Sequence, residues 1–240
     1  MGGKQRNMAI FIDRVHRLPR LWSNRELSKY ANLFKGSVVN VSGWKDIDKE
    51  GRHYRDYFIN ASEYQITNYK EEARGFQGME NEIFLDLESE LPEAMNARFD
   101  VVFNHTTLEH IYDIHTAFSN LCDMSSDIVI LILPFIQQYH SDYGDYWRLT
   151  PLAIKRLFED NDMSLVYQSF NNDKAASVYT FSIASKRSDK WQHHFDWSFT
   201  CHDPSADSHE PYIGCNAVGN YGHRIEKRIE AFFQPSKKRS

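Results

Sequence analysis

The fold of this chain is decided by the stretch Phe99-Asp100-Val101-Val102-Phe103-Asn104-His105-Thr106-Thr107-Leu108-Glu109-His110. Its apolar centre ends abruptly in polar residues, which is typical of a strand buried in a parallel sheet. From Leu108 onward the pattern becomes helical, with apolar residues on one face at Ile111, Ile114, Phe118 and Leu121. A strand that passes into a helix places the polar residues between them at the carboxyl edge of the sheet, where open α/β proteins bind ligands. We therefore expect an α/β fold with a ligand site after this strand.

Similar patterns predict the other strands of the sheet. Residues 36–44, 61–69, 82–87 and 127–134 contain β-branched, aromatic or apolar residues typical of further parallel strands. Thr150 and Pro151 predict a helix start, because threonine caps a helix and proline suits its first position. Residues 164–170 and 178–184 lie close together and predict an antiparallel pair at the sheet edge. The whole pattern predicts a doubly wound, mostly parallel seven-stranded sheet.

Length and residue pattern also predict how the chain is divided. The 240 residues suit one domain with additions at both ends. Residues 1–35 show helical spacing on both sides of Pro19 and are expected to form an N-terminal helical cover, while 36–186 hold the predicted sheet. Residues 187–240 are polar and irregular until a predicted helix near 222–233. We expect that helix to pack on the domain or across a homodimer.

Composition excludes several classes of protein. A net charge of -5 argues against a nucleic-acid-binding surface, which is normally basic. No stretch approaches the roughly 18 consecutive apolar residues of a transmembrane helix, and the N-terminus lacks the apolar core of a signal peptide. Cys122, Cys201 and Cys215 form an odd set without the spacing of a disulfide framework, so we expect a cytoplasmic protein.

Two stretches resemble one protein family. The stretch from Phe99 to His110 is similar to the fourth-strand region of class I S-adenosylmethionine-dependent methyltransferases, whose small-molecule, type 11-like branch often reads FDxVxxxxxLEH. The run Asp145-Tyr146-Trp147-Arg148-Leu149-Thr150-Pro151 resembles a segment of methyltransferase-like proteins encoded with bacterial surface-polysaccharide genes. The resemblance implies a Rossmann-like methyltransferase fold and S-adenosylmethionine as the cofactor.

The resemblance implies that the turn after the first strand passes the methionine end of the cofactor. The family has an acid followed by Gly-x-Gly at this point, and this chain has Asn40, Ser42 and Gly43. Of these, only Gly43 keeps the permissive backbone of the family motif. Trp44 is bulky where the pocket should be open.

The resemblance implies that three other strand ends complete the cofactor site. Asn68 follows the second strand, in the place of the acid that binds the ribose, and an amide binds a diol without charge. Asp86, followed by Leu87, matches the position that contacts the adenine amino group. Asn104 lies at the end of the fourth strand, near the methionine end of the cofactor.

The connection over residues 135–149 is long for a strand-to-helix loop, and long loops are often functional. Its aromatic and charged side chains suit the flat face and the hydroxyls of a sugar. We expect substrate contacts from Tyr143, Tyr146, Trp147 and Arg148. The compatible structural alternative is a self-packed loop in which Arg148 pairs with Asp142 or Asp145.

Methylation of a hydroxyl requires that its proton be taken up, and a neutral imidazole is the natural general base near neutral pH. The catalytic candidates are His140 and His105, with Asp142 third. We expect His110 to be structural. Histidines and cysteines crowd into residues 193–223, but their spacing matches no standard ligand set, so we expect no metal.

Two functions of different classes remain open. The first is a methyltransferase that O-methylates a sugar, nucleotide-sugar or glycan intermediate, with a small-molecule or carbohydrate acceptor and no nucleic-acid partner. The second is a non-catalytic protein of the same fold, whose altered cofactor motif serves a binding or assembly role. A transferase that uses another nucleotide ligand in the same cleft is a third and weaker alternative. Fold alone does not separate them.

Overall fold

The computed structural model describes residues 18–70, 75–140, 144–171, 176–195 and 229. One sheet contains the strands β1 Gly36–Val41, β2 Ala61–Asn68, β3 Glu82–Phe84, β4 Phe99–His105, β5 Ser125–Ile136, β6 Ser164–Phe170 and β7 Val178–Ser185. It is accompanied by the helices α1 Leu18–Tyr30, α2 Ile114–Met124, α3 Pro151–Glu159 and α4 Ser188–Trp191. Outside the described residues lie the predictions for Asp142, Tyr143, the chain before Leu18, Cys201, Cys215 and, apart from residue 229, the helix near 222–233.

The order of the strands confirms the predicted fold. They lie side by side as β3-β2-β1-β4-β5-β7-β6. The strands from β3 to β5 run parallel, and β7 is antiparallel to both β5 and β6. The direction in which the chain adds strands reverses between β1 and β4. Such a switch point opens a crevice at the carboxyl ends of the two strands.

Each face of the sheet packs against its own set of helices. Because side chains alternate along a strand, Val39 and Val102 face α2 and α3, and Val38 and Val101 face α1. Phe118 of α2 and Phe158 of α3 meet edge to face, with ring centroids 4.8 Å apart. β5 is buried on both faces, as its continuous apolar run predicts. No helix in the described residues combines the length and the apolarity that crossing a membrane requires.

Two helix boundaries differ from the sequence prediction. The helix after β4 begins at Ile114, because the Asp113 side chain caps it and accepts the Thr116 N–H. Leu108–His110 instead forms a short 3₁₀ turn. Helix α1 runs unbroken from Leu18, with Pro19 in its first turn, where a missing N–H costs nothing.

The connection from β1 to β2 forms a folded loop without an α-helix. Its one regular element is the 3₁₀ turn Tyr54–Tyr57, which packs on the sheet. Two buried carboxylates, Asp46 and Asp48, hold the loop together. Asp48 Oδ2 accepts the Tyr57 hydroxyl at 2.6 Å, and its other oxygen accepts the Glu50 N–H at 2.7 Å. A polar loop therefore lies beside the end of β1.

Candidate functional site at the carboxyl edge of the sheet

The ends of four neighbouring strands meet at one edge of the sheet. Val41, the last residue of β1, is in register with Thr67 of β2 and with Asn104 of β4. Asn68, the last residue of β2, is in register with Phe84 of β3. The polar side chains at and after these strand ends therefore lie along one edge.

The turn after β1 is bonded directly to β2. Ser42 has a φ of 58°, and its N–H donates to Thr67 Oγ1 at 3.2 Å. The Gly43 N–H donates to the Thr67 carbonyl, also at 3.2 Å. A Cβ at position 43 would lie 2.7 Å from Asn40 Nδ2, so only glycine fits this close approach without a shift. The retained glycine is thus required by the turn itself.

Asn40 is bonded to a buried carboxylate of the β1–β2 loop. Its Nδ2 donates to Asp46 Oδ1 at 2.8 Å, and the Tyr64 hydroxyl donates to the same oxygen at 2.6 Å. Burial raises the pKa of Asp46, although these two bonds oppose the rise. An acid at position 40 would face this carboxylate, which explains why an amide stands there.

Asn68 closes the β1 turn from the other side. Its Oδ1 accepts the Trp44 N–H at 2.7 Å, and its Nδ2 donates to the Trp44 carbonyl at 3.1 Å. The same Nδ2 donates to Glu82 Oε1 at 2.5 Å. Asn68 therefore keeps one lone pair on Oδ1 for another partner. Glu82 brings a carboxylate beside Asn68, which the sequence reasoning missed because Glu82 lies at the start of β3.

Asp86 follows β3 and organises the turn that it begins. Its Oδ1 accepts the Glu88 N–H and its Oδ2 accepts the Ser89 hydroxyl, both at 3.0 Å. The side chain is half-buried, and each carboxylate oxygen keeps a further lone pair. Leu87 beside it is buried in the core. Asp86 can therefore accept an additional donor, whereas Leu87 offers only apolar contact.

Asn104 at the end of β4 carries a buried polar atom without a partner. Its side chain is fully buried, and its Nδ2 donates to the Val41 carbonyl at 3.0 Å. No group in the described residues donates to its Oδ1. An unsatisfied buried acceptor costs about 1–3 kcal/mol, so this oxygen is set to receive a donor.

His105 lies under helix α1. The Ser23 hydroxyl lies 2.8 Å from its Nε2, and the Arg20 guanidinium contacts its Nδ1. Burial and the positive charge of Arg20 hold the pKa of His105 well below its ordinary value. Its ring is neutral, but both nitrogens are engaged by α1. His105 is therefore a weaker candidate for a general base than His140. The contact from Arg20 was not visible in the sequence.

His140, the first catalytic candidate, lies in a polar network after β5. Its Nδ1 lies 3.2 Å from Asp145 Oδ2, and its backbone N–H donates to the same oxygen at 2.8 Å. Arg148 binds Asp145 through both of its terminal nitrogens, at 2.5 and 2.7 Å. Burial alone would raise the pKa of Asp145, but the bonds from Arg148 and His140 outweigh it and lower that pKa to about 2. The self-packed pairing of Arg148 with Asp145 is thus present.

His110 lies against His140, although the sequence suggested a purely structural role for it. The two rings meet edge to face with centroids 5.0 Å apart. His110 Nδ1 donates to the Gly144 carbonyl at 2.5 Å, and its Nε2 lies 3.7 Å from Glu109 Oε1. Burial raises the pKa of the Glu109 carboxyl, while His110 beside it acts in the opposite direction. The contacts of His110 therefore connect the segment after β4 to the loop over residues 135–149.

Of the aromatic side chains in the loop, one is bonded to the core and others are exposed to solvent. The Trp147 indole N–H donates to the Ile111 carbonyl at 2.9 Å, and its ring packs against the core beside α2. Tyr146 is 53% exposed, and its ring lies 5.4 Å from that of Tyr112. Tyr139 is also exposed. Trp147 therefore fixes the loop, whereas Tyr146 and Tyr112 present aromatic surface to solvent.

A separate cavity of about 290 Å³ lies at the opposite edge of the sheet, beside the first residues of β4 and β5. Its buried acid, Asp127, is held by the Ser185 hydroxyl at 2.5 Å and the Trp191 indole N–H at 2.9 Å. Asp127 also pairs with Arg187 at 2.7 Å. These contacts join α4 to the sheet, away from the strand ends described above.

Comparison with solved structures supports the fold, whereas the comparisons with family models and curated proteins found no match. No family model and no curated protein matches the sequence. Among solved structures, a provisionally named methyltransferase of Bacillus halodurans C-125 matches with a TM-score of 0.51 at 11% identity, over 68% of this chain and 97% of that one. This chain has the class I methyltransferase fold. A provisionally named methyltransferase, solved with a methyltransferase activator of Haloferax volcanii, matches with a TM-score of 0.51 at 9% identity, over 70% of this chain and 90% of that one. At these identities the likeness shows the fold alone.

Proposed function

We propose that this protein is an S-adenosylmethionine-dependent methyltransferase that methylates a hydroxyl group of a sugar, nucleotide-sugar or glycan intermediate. The observation that carries the proposal is the row of polar groups along the carboxyl edge of the methyltransferase fold. Within that row, Asp86 keeps free lone pairs and Asn104 Oδ1 has no donor. In open α/β sheets, this edge at the switch point is where ligands bind.

The side chains present fit the chemical groups of the cofactor. Asp86 suits the adenine amino group, because its carboxylate oxygens can accept another hydrogen bond. Asn104 Oδ1 suits the ammonium of the methionine end, which would supply the donor that this buried oxygen lacks. Asn68 keeps one lone pair on Oδ1 for a ribose hydroxyl. The turn at Ser42 and Gly43 lies beside Asn68. The cofactor supplies an electrophilic methyl group on a sulfonium ion.

The acceptor belongs, on this proposal, at the corner formed by His140 and the exposed tyrosines. A hydroxyl held there would have to lose its proton as it is methylated. His140 takes the hydroxyl proton, and Asp145 beside its Nδ1 orients the ring. Tyr146 and Tyr112 offer a flat aromatic surface for a sugar ring. Trp147 and Arg148 contribute by holding the loop in place.

The alternative is a non-catalytic protein of the same fold, and one observation favours it. The side chains of Asn40 and Asn68 are bonded to the protein's own β1–β2 loop, through Asp46 and Trp44. A loop secured in this way could fill the space that the family leaves to the cofactor. The two functions differ in whether methyl transfer occurs.

Transfer of a labelled methyl group to a panel of sugars and nucleotide-sugars tests the proposal. His140→Ala should lower the turnover number by about 10²-fold or more, the usual contribution of a general base, with unchanged cofactor affinity. His115→Ala is the matched control, because His115 is exposed on α2. Failure of every acceptor, despite cofactor binding, would favour the non-catalytic protein. Unchanged turnover in His140→Ala would remove His140 from the reaction.

A further inference from the structure

We propose that Glu109, His110 and His140 bind a divalent transition-metal ion. Each side chain offers one donor atom, and the three donor atoms lie within 4.8 Å of one another. Two imidazoles and one carboxylate form the ligand set of catalytic zinc sites, which keep a fourth position open. The same set with open positions also binds ferrous iron.

Each imidazole has a carbonyl or carboxylate oxygen beside one of its ring nitrogens. Metal-ligating histidines usually direct their second ring nitrogen at a carbonyl or a carboxylate, which fixes the tautomer and the ring orientation. His110 Nδ1 donates to the Gly144 carbonyl at 2.5 Å, which leaves the lone pair on Nε2. His140 Nδ1 lies 3.2 Å from Asp145 Oδ2, which Arg148 holds in place, but this nitrogen makes no hydrogen bond in the described residues and so also lacks a partner. Each ring thus offers one nitrogen to the cluster, and its orientation is set by a neighbouring oxygen.

Glu109 supplies the independent observation that a ligand is missing. The residue is 3% exposed, and its Oε2 has no hydrogen-bond partner in the described residues. Its backbone carbonyl accepts the Tyr146 N–H at 2.8 Å, so the loop that carries His140 is docked on this residue. An unsatisfied buried acceptor is destabilising, and an ion at this point would satisfy it.

The spacing of the donors suits an ion after a small movement. Two ligands about 2.1 Å from a tetrahedral zinc ion lie about 3.4 Å apart. The Glu109 Oε1 to His110 Nε2 distance is already 3.7 Å. For an ion to bind, the donor atom of His140 must move closer to the other two. The His140 side chain is half-buried and therefore has room to rotate.

The proposal departs from the expectation that the chain holds no metal, which rested on the spacing of histidines and cysteines in residues 193–223. Glu109 and His110 are adjacent, but His140 is thirty residues away, and only the pairing of β4 with β5 brings them together. If the proposed function holds, the open ligand position would bind the acceptor oxygen. A bound ion lowers the pKa of such a group, and His140 would then act as a ligand and not as the base.

The test uses the untagged full chain, freed of metal with a chelator and titrated with Co²⁺. We expect one Co²⁺ per chain, visible absorption bands typical of nitrogen and oxygen ligands, and displacement by Zn²⁺. His140→Ala and Glu109→Gln should each weaken binding by about 100-fold or more, and Asp145→Asn, which alters an outer contact, by about 10- to 100-fold. His115→Ala should bind as the wild type does.

Absence of Co²⁺ binding would overturn the proposal. So would binding that survives both His140→Ala and Glu109→Gln, which would assign the ion to the histidines of the C-terminal extension. Thermal unfolding shows whether each variant is folded. Titration of the metal-free protein with S-adenosylhomocysteine tests the proposed function separately. Metal binding without S-adenosylhomocysteine binding supports the metal site and contradicts the proposed function, and the opposite result removes only the metal site.

Discussion

Replacement of Asn104 by alanine tests whether its unpartnered oxygen serves a ligand or is merely part of the core. The substitution removes the bond from Asn104 Nδ2 to the Val41 carbonyl, and a bond of this kind contributes about 0.5–1.5 kcal/mol. It also removes the buried Oδ1 that lacks a donor, which relieves about 1–3 kcal/mol. The two effects oppose each other. We therefore expect the free energy of unfolding to change by an amount between a loss of about 0.5 kcal/mol and a gain of about 2.5 kcal/mol.

Ligand affinity, in contrast, should fall clearly in Asn104→Ala. A hydrogen bond between this oxygen and a charged ammonium group is worth about 1.5–3 kcal/mol. At about 1.4 kcal/mol per tenfold change, the dissociation constant for S-adenosylhomocysteine should rise by about 10- to 100-fold. Calorimetric titration measures the affinity, and urea unfolding of the same preparation measures the stability.

Asn171→Ala is the matched control, because Asn171 is also buried but lies at the β6–β7 edge. Its Nδ2 donates to the Ser177 carbonyl at 2.9 Å, and its Oδ1 accepts the Tyr179 N–H at 2.7 Å. Losing both contacts should cost about 2 kcal/mol of stability and leave ligand affinity unchanged. If Asn104→Ala instead lowers stability by several kcal/mol and keeps full affinity, Asn104 only joins β1 to β4.

Two further substitutions address the adenine position and the start of β1. Asp86→Ala should weaken S-adenosylhomocysteine binding by about tenfold or more, because it removes the proposed adenine acceptor, and equal affinity in a titration would exclude that role. Gly36→Ala should destabilise the protein by about 3 kcal/mol in urea unfolding, because a left-handed residue costs about 1–2 kcal/mol and the displaced carboxylate loses a charged hydrogen bond. Gly36 has a φ of 92°, and a Cβ there would lie 2.0 Å from Asp100 Oδ2, which accepts the Ser37 N–H. Gly51→Ala is the control for the backbone contribution, because Gly51 has a φ of 88° and nothing lies within 4 Å of the added Cβ. If both variants lose the same free energy of unfolding, the clash with Asp100 is refuted.

The strands were predictable because each carries its own local signal. The run from Val101 to Phe103 and the continuous apolar stretch of β5 both reflect burial on two sheet faces, which a sequence shows directly. Thr150 and Pro151 likewise marked the start of α3, where the Thr150 hydroxyl accepts the Ala153 N–H. Helix α2 was placed too early because Leu108–His110 has helical spacing, whereas the cap is the later residue Asp113.

The site was less predictable because its contacts join distant parts of the chain. The Asn40 amide makes sense only once Asp46 and the Tyr64 hydroxyl are seen beside it. The pairing of His110 with His140 depends on the adjacency of β4 and β5, and no periodicity reports it. Side-chain hydrogen bonds of this kind depend on tertiary packing, which composition and spacing do not encode.

Calorimetric titration of the wild-type chain with S-adenosylhomocysteine, without acceptor or metal, tests the central claim most directly. The row of acceptors from Asp86 to Asn104 predicts saturable binding at one site per chain, with a dissociation constant in the micromolar range. Absence of binding up to about 1 mM, the weak end of ordinary substrate affinities, would contradict a working cofactor site. The carboxyl edge would then be a closed surface held by Asn40 and Asn68, and the fold would serve a non-catalytic role.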